Sequence, residues 1–280
     1  MESASRLTAI LAAMPRVAVA FSGGVDSAVV SMAAKLAKGD EAIAITADSP
    51  SVPRSELAAA IQLAQHIGIA HRVVRTEEFA NPEYLKNDGR RCYFCKSTLY
   101  ETIHRLLPEL GDPVVCSGAN LDDNGDYRPG LTAAAEKGIR HPLQEAGLTK
   151  ADVRALARHW QLPVWDKPAS PCLSSRIAPG LAVTVERTGR VERAEAYLKS
   201  LGLSDCRVRY HEGDLARIEV PLSDVTRLAG EQTRASLDRA FREIGFRFVT
   251  LDLAGLRSGS LNELIDVTVK SQYSPTPVTI

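Results

Sequence analysis

The 280-residue sequence has no excess of either charge: 34 Lys and Arg face 34 Asp and Glu. That balance argues against a protein that coats nucleic acid or a lipid surface. No apolar run is long enough for a membrane span, and Met1–Arg6 lacks a charged segment leading into a signal-peptide core, so a cytoplasmic address is expected. There is no even set of cysteines. Five thiols without a secretory signal point to free thiols, metal ligation or catalysis rather than a disulfide framework. Internal repeats and low-complexity tracts are also missing.

What is present is alternation. Arg16–Phe21 is apolar and reads as a buried parallel strand, followed by a helix over Val25–Leu36, a strand over Glu41–Ala47 and a helix over Glu56–Ile67. A strand at His71–Arg75, a helix from about Phe94 to Leu107 and a strand at Pro113–Ser117 continue the pattern. A helix over Ala151–Trp160 and a short edge strand at Leu162–Trp165 complete it. This spacing predicts an α/β fold, an open parallel sheet covered on both faces with ligands at the carboxyl ends of the strands. Pro168, Pro171 and Pro179–Gly180 then break the pattern. Beyond them a helix (Glu186–Leu201), two strands (Asp205–His211, Leu215–Val220), a helical stretch in two pieces (Leu222–Ile244) and a last strand (Phe246–Leu253) predict a smaller C-terminal α+β domain. The expected division is 1–178, 179–257 and a mobile tail over 258–280.

Ser22, Gly23, Gly24, Asp26 and Ser27 lie between the first buried strand and its helix. Two glycines permit a tight turn that presents N–H groups, and the helix N-terminus adds partial positive charge. Asp26 would repel phosphate alone, so its presence implies a bridging Mg²⁺. The plain alternative is a glycine turn capped by Asp26 and Ser27. The loop lacks the lysine and spacing of a Walker sequence. It resembles the pyrophosphate-binding loop of the PP-loop ATP pyrophosphatases (adenine nucleotide alpha hydrolase-like), which cleave ATP between the α- and β-phosphates. A second candidate is Ser117–Asp123, where Gly118 allows close backbone approach to a ligand. Asp122 and Asp123 there suit a metal or, more simply, local turn bonding.

Cys92 and Cys95 form a C-x-x-C pair near a helix start, and Cys172 follows the first-domain pattern. Three thiolates can hold a [4Fe–4S] cubane and leave one iron open to an exogenous sulfide. A redox disulfide, half a zinc site or a lone Cys172 nucleophile are the alternatives. Cys116 and Cys206 read as small core residues. Arg207 and Arg209, two apart on a strand, share a face suited to phosphate or carboxylate, with a solvated face as the ordinary outcome. Ser175 and Arg176 lie closer to Cys172.

Ser22–Ser27 together with Asn124–Gly130, Pro142–Leu143, Ser174–Arg176, Arg207–His211 and Phe248–Leu253 resembles the LarE family over about 7–259. That family serves the nickel-pincer nucleotide cofactor of lactate racemase. The resemblance implies a small-molecule substrate, pyridinium-3,5-biscarboxylic acid mononucleotide, adenylated with ATP and Mg²⁺ and converted to a thiocarboxylate. It carries substrate-phosphate roles onto Ser175, Arg207 and Arg209, and the sulfur cysteine onto Cys172. Sacrificial members give up that cysteine's sulfur and become dehydroalanine; they lack cysteines matching Cys92 and Cys95. All three together resemble the cluster-bearing branch, fed by an external sulfide source. A homo-oligomer, hexameric by resemblance, is expected, without nucleic acid or membrane. tRNA thiolation by a PP-loop enzyme is the rival.

Overall fold

A computed structural model describes residues 2–125, 129–257, 259–261 and 264. Asp126–Arg128 of the family-like stretch and most of the expected tail lie outside the described residues. The described chain forms two compact units, one of residues 2–78 and 92–170, the other of 79–91 and 171–264. No helix among the described residues is long and apolar enough to cross a membrane.

The first unit opens with α1 (Glu2–Ala12), β1 (Val17–Ala20), α2 (Val25–Lys38), β2 (Ala42–Asp48), α3 (Arg54–Ile67) and β3 (Ala70–Arg75). The chain then enters the second unit for residues 79–91, which include the single turn α4 (Pro82–Leu85). It returns through α5 (Arg91–Leu106), β4 (Val114–Cys116), α6 (Pro129–Glu136), α7 (Pro142–Glu145) and α8 (Lys150–His159). The sheet is parallel throughout, in the order β3-β2-β1-β4. β1 is central, and its side chains alternate between two cores. Val17 and Val19 pack with Leu7, Leu11, Val29, Leu63 and Leu156 on one face; Ala18 packs with Ile45, Tyr100, Ile103 and Val115 on the other. Burial on both faces explains the unbroken apolar run of this strand. The helix α1, unforeseen in the sequence, inserts Leu7 and Leu11 one turn apart, both fully buried. Each contributes about 1.5–3 kcal/mol by leaving water.

The expected edge strand at Leu162–Trp165 is instead a pair of turns. Trp165 N–H bonds Leu162 O and Lys167 N–H bonds Val164 O. Pro163 has no N–H to give a sheet neighbour. Arg154 donates to the carbonyls of Trp165 and Lys167, and the Arg158 guanidinium lies 4.1 Å from the Trp165 ring centre.

The second unit contains α9 (Val185–Ser200), β5 (Arg207–His211), β6 (Leu215–Glu219), α10 (Leu222–Ala229), α11 (Glu231–Ile244) and β7 (Phe248–Leu251), with its sheet in the order β5-β6-β7. Val208, Ala216 and Ile218 are buried, as are Leu198 and Phe241 of the helices. The alternate positions on β5 and β6 carry Arg207, Arg209, His211, Arg217 and Glu219, so this sheet has one polar face.

Candidate nucleotide and sulfur sites

The turn after β1 is anchored to the sheet before it is anything else. Phe21 N–H bonds Ile45 O at 2.8 Å, and Thr46 Oγ1 donates to Phe21 O at 2.8 Å while meeting His71 Nε2. Gly23 has a positive φ of 72°, and a Cβ there would lie 2.9 Å from Ala60 Cβ of α3, so this turn admits glycine on both counts. Ser27 Oγ accepts from Ser22 N–H and donates to Gly24 O; Ser22 Oγ lies 3.2 Å from Ser27 Oγ. The two serine hydroxyls thus brace the loop's own backbone at the start of α2, where unpaired N–H groups and the helix dipole favour an anion.

Asp26, in the first turn of α2, is not a cap. Asn120 Nδ2 donates to its Oδ1 at 3.1 Å and Lys150 Nζ to its Oδ2 at 2.5 Å. Asn120 lies within the Ser117–Asp123 candidate, whereas Lys150 does not stand out in the sequence, although Thr149 and Asp152 form a capping box that marks the start of α8. Asp122 and Asp123 make local bonds: Asp122 N–H bonds Asn120 Oδ1 and Asp122 Oδ2 accepts from Lys150 N–H, while Asn120 N–H bonds Asp123 Oδ2. The close approach that Gly118 allows is to α2. A Cβ would lie 2.7 Å from Ser27 N and 3.0 Å from Asp26 C. Gly118→Ala is therefore expected to push this segment off the helix, taking Asn120 from Asp26. A thermal melt should show about 1–3 kcal/mol lost, the usual scale of overpacking, and ATP affinity should fall with it.

A cavity of about 400 Å³ opens beyond β2 and β3, lined by Asp48, Ser49, Arg54, Arg75, Thr76 and Glu77. It lies at the carboxyl ends of the strands, where an open parallel sheet binds ligands. Beneath it the buried Ser49 and Ser51 hydroxyls are 2.7 Å apart, and Ser51 donates to buried Glu78. Sequence reasoning missed this pocket because each residue type is ordinary at a strand end.

Cys92 and Cys95 lie in the first turns of α5, exposed and half-buried respectively, within the first unit. Cys172 belongs to the second unit, where it caps a short turn, Leu173–Arg176. Among the described residues no group of three His, Cys, Asp or Glu side chains is arranged to hold a metal ion. Cys116 and Cys206 are buried, and burial pushes both thiols up to about 12. Alkylation of the folded protein by iodoacetamide at pH 8 should therefore spare these two and modify Cys92, Cys95 and Cys172, as peptide mass mapping would read, since the thiolate is the nucleophile.

The turn at Cys172 is held from below. Ser175 Oγ donates to Cys172 O at 2.7 Å, Arg176 Nη1 to the same carbonyl at 3.1 Å and also to Pro171 O. Arg176 is buried and its Nε donates to Glu195 at 2.9 Å. Arg209, also buried, donates to Glu219 at 2.9 and 3.0 Å and to Ser175 O at 3.2 Å. Arg207 is half-buried and bonds Arg257 O. Burial, then the charges of Arg209 and Arg176, holds its guanidinium below the usual range. Ser175, Arg176, Arg207 and Arg209 are thus brought together, with two of the three guanidiniums spent on carboxylates. Burial alone would raise the Glu219 carboxyl, but the hydrogen bonds and charge of Arg209, helped by Ser260 and Arg217, bring it below its ordinary value. A depressed carboxyl stabilises above its unfolded pKa and loses that contribution as pH falls through the folded one. Glu219→Gln is accordingly expected to cost about 3–5 kcal/mol at pH 7, with a shallower fall in melting temperature below pH 4 than in the parent.

The asparagine synthase family model matches residues 8–87, which include the turn after β1. An uncharacterized protein of Synechocystis sp. is 48% identical over 90% of this chain and 94% of its own. The pyridinium-3,5-bisthiocarboxylic acid mononucleotide synthase of Lactiplantibacillus plantarum is 38% identical over 92% of this chain and 93% of its own. A tRNA-specific 2-thiouridylase of Azorhizobium caulinodans is 31% identical over 66% of this chain but 56% of its own.

Proposed function

From the premise that this chain belongs to the LarE family of ATP-dependent sulfurtransferases, we propose that it converts a carboxylate of pyridinium-3,5-biscarboxylic acid mononucleotide to a thiocarboxylate, for assembly of a nickel-pincer cofactor. The observation that carries this reading is the braced Ser22–Ser27 turn, with the Asp26 carboxylate in the first turn of α2 and in contact with a cation.

ATP sits with its pyrophosphate portion on the turn, receiving the N–H groups at the start of α2. The substrate carboxylate oxygen attacks the α-phosphorus, the bond to the β-phosphate oxygen breaks, and pyrophosphate leaves. Asp26 fits a Mg²⁺, since its carboxylate is already a cation acceptor and remains a quarter exposed. The metal would neutralise charge growing on pyrophosphate. Sulfur then displaces AMP from the acyl carbon, the acyl–oxygen bond breaking as the carbon–sulfur bond forms. Ser175, Arg207 and Arg209 take the substrate phosphate, with Arg207 the guanidinium not committed to a carboxylate; Arg176 holds the Cys172 turn.

A [4Fe–4S] cluster would take the thiolates of Cys92, Cys95 and Cys172 as its protein ligands. Such a cluster would carry a sulfide on the iron that lacks a protein ligand. In the sacrificial alternative Cys172 gives its own sulfur. Anaerobic incubation with ATP, Mg²⁺ and the biscarboxylic mononucleotide should yield AMP, pyrophosphate and a product in which sulfur replaces oxygen, seen by mass spectrometry. Iron and sulfide analysis separates the routes. Iron-free protein whose Cys172 loses hydrogen sulfide after one turnover would select the sacrificial one. Absence of AMP with this substrate, alongside AMP formed with tRNA, would replace the proposal by tRNA thiolation, which the 2-thiouridylase similarity keeps in view.

A further inference from the structure

The turn from Phe21 to Ser27 contains a carboxylate and no basic residue, and the first lysine of α2 is Lys35, about two turns beyond Ser27. A pyrophosphate leaving group carries about three negative charges, so a carboxylate in its cradle is unfavourable unless cations are added. A basic side chain comes to the turn from 124 residues away: Lys150, the first residue of α8, with Nζ 2.5 Å from Asp26 Oδ2.

We propose that Lys150 is the phosphate-binding cation of this turn, pairing with Asp26 until a polyphosphate arrives and then transferring its ammonium to the pyrophosphate portion while Asp26 passes to Mg²⁺. This rests on the reading of Ser22–Ser27 as the ATP loop.

Three features support it. The backbone of Lys150 is fixed: its N–H bonds Asp122 Oδ2, and Thr149 beside it is tied to Asp152 by the capping box. The flexible four-carbon stem can therefore redirect the ammonium without moving α8. The Lys150–Asp26 pair is wet, its side chains 37% and 24% exposed, and such pairs hold only about 0–1 kcal/mol. Breaking it costs little. The exchange replaces one negative partner by a multiply charged one flanked by helix N–H donors, which favours the new pairing.

The consequence has opposite signs for two ligands, which a purely structural role would not produce. Calorimetric titration of inorganic pyrophosphate into the full chain, with chelator and no metal, should show at least 30-fold weaker binding in Lys150→Met. Lys150→Arg should stay within a few-fold of the parent, and Asp26→Asn, which frees the ammonium, should bind tighter than the parent. Mg²⁺ alone should bind Lys150→Met more tightly than the parent, because Asp26 loses its competitor. Pyrophosphate binding unchanged in Lys150→Met while the parent binds it would overturn the role of Lys150 and leave the loop assignment standing. A parent that binds neither pyrophosphate nor ATP would overturn both. Should Lys150→Met fail to fold, the sign of the Asp26→Asn shift decides by itself: weaker binding overturns the proposal.

Discussion

Asp26→Ala is expected to lower ATP-dependent pyrophosphate release by at least 100-fold at saturating ATP and Mg²⁺, in a protein that remains folded at the assay temperature. Asp26 is in the first turn of α2; its carboxylate meets Lys150 in a partly exposed pair and accepts from the buried Asn120 amide. Its removal costs little through the wet Lys150 pair and about 1–3 kcal/mol through the Asn120 donor left without its acceptor. What is lost is the negative oxygen pair that would bind Mg²⁺ beside the leaving group. Removing one preorganised charge-stabilising group typically costs about 10²–10³ in turnover. A coupled pyrophosphate assay measures this directly. Release within three-fold of the parent would show that Ser22–Ser27 is an ordinary helix start. The contrast with Asp26→Asn is informative: metal-free pyrophosphate binding should strengthen while metal-supported turnover falls.

Cys172→Ala should abolish thiocarboxylate formation, below one thousandth of the parent, while pyrophosphate release persists. The substitution isolates the sulfur because the turn does not depend on the thiol. The Cys172 carbonyl, not its Sγ, takes the bonds from Ser175 N–H at 3.0 Å, Ser175 Oγ at 2.7 Å and Arg176 at 3.1 Å. An alanine keeps all three. Both sulfur routes need this position, so product formation at the parent rate would end the sulfur-transfer reading for Cys172. Cys92→Ala distinguishes the routes. Loss of repeated turnover with bound iron indicates the cluster, whereas one undiminished turnover per chain indicates the sacrificial cysteine. Excess pyrophosphate release over product in Cys172→Ala would measure hydrolysis of the activated carboxylate, the side reaction that a positioned sulfur nucleophile outcompetes.

Much of the first unit was legible because its signals are local. The apolar run of β1 reflects burial on both faces, and the Gly23–Gly24 turn reflects a positive φ and contact with Ala60. The helix α1 escaped notice because it buries a narrow stripe, Leu7 and Leu11, within an otherwise mixed sequence. Leu162–Trp165 misled because a short apolar run has no periodicity of its own to separate strand from turn.

By itself the sequence determined the succession of strands from β1 to β4 with α2, α3 and α5 between them, the glycine-serine turn at the end of the first strand, and the two-residue spacing that puts Arg207 and Arg209 on one face. Those follow from backbone sterics and side-chain period, which act over a few residues. Tertiary structure alone decided that Asn120 and Lys150 meet Asp26 across 94 and 124 residues, and that Arg176 and Arg209 are committed to Glu195 and Glu219. Which charge meets which carboxylate depends on how distant elements pack, and no local period records that choice.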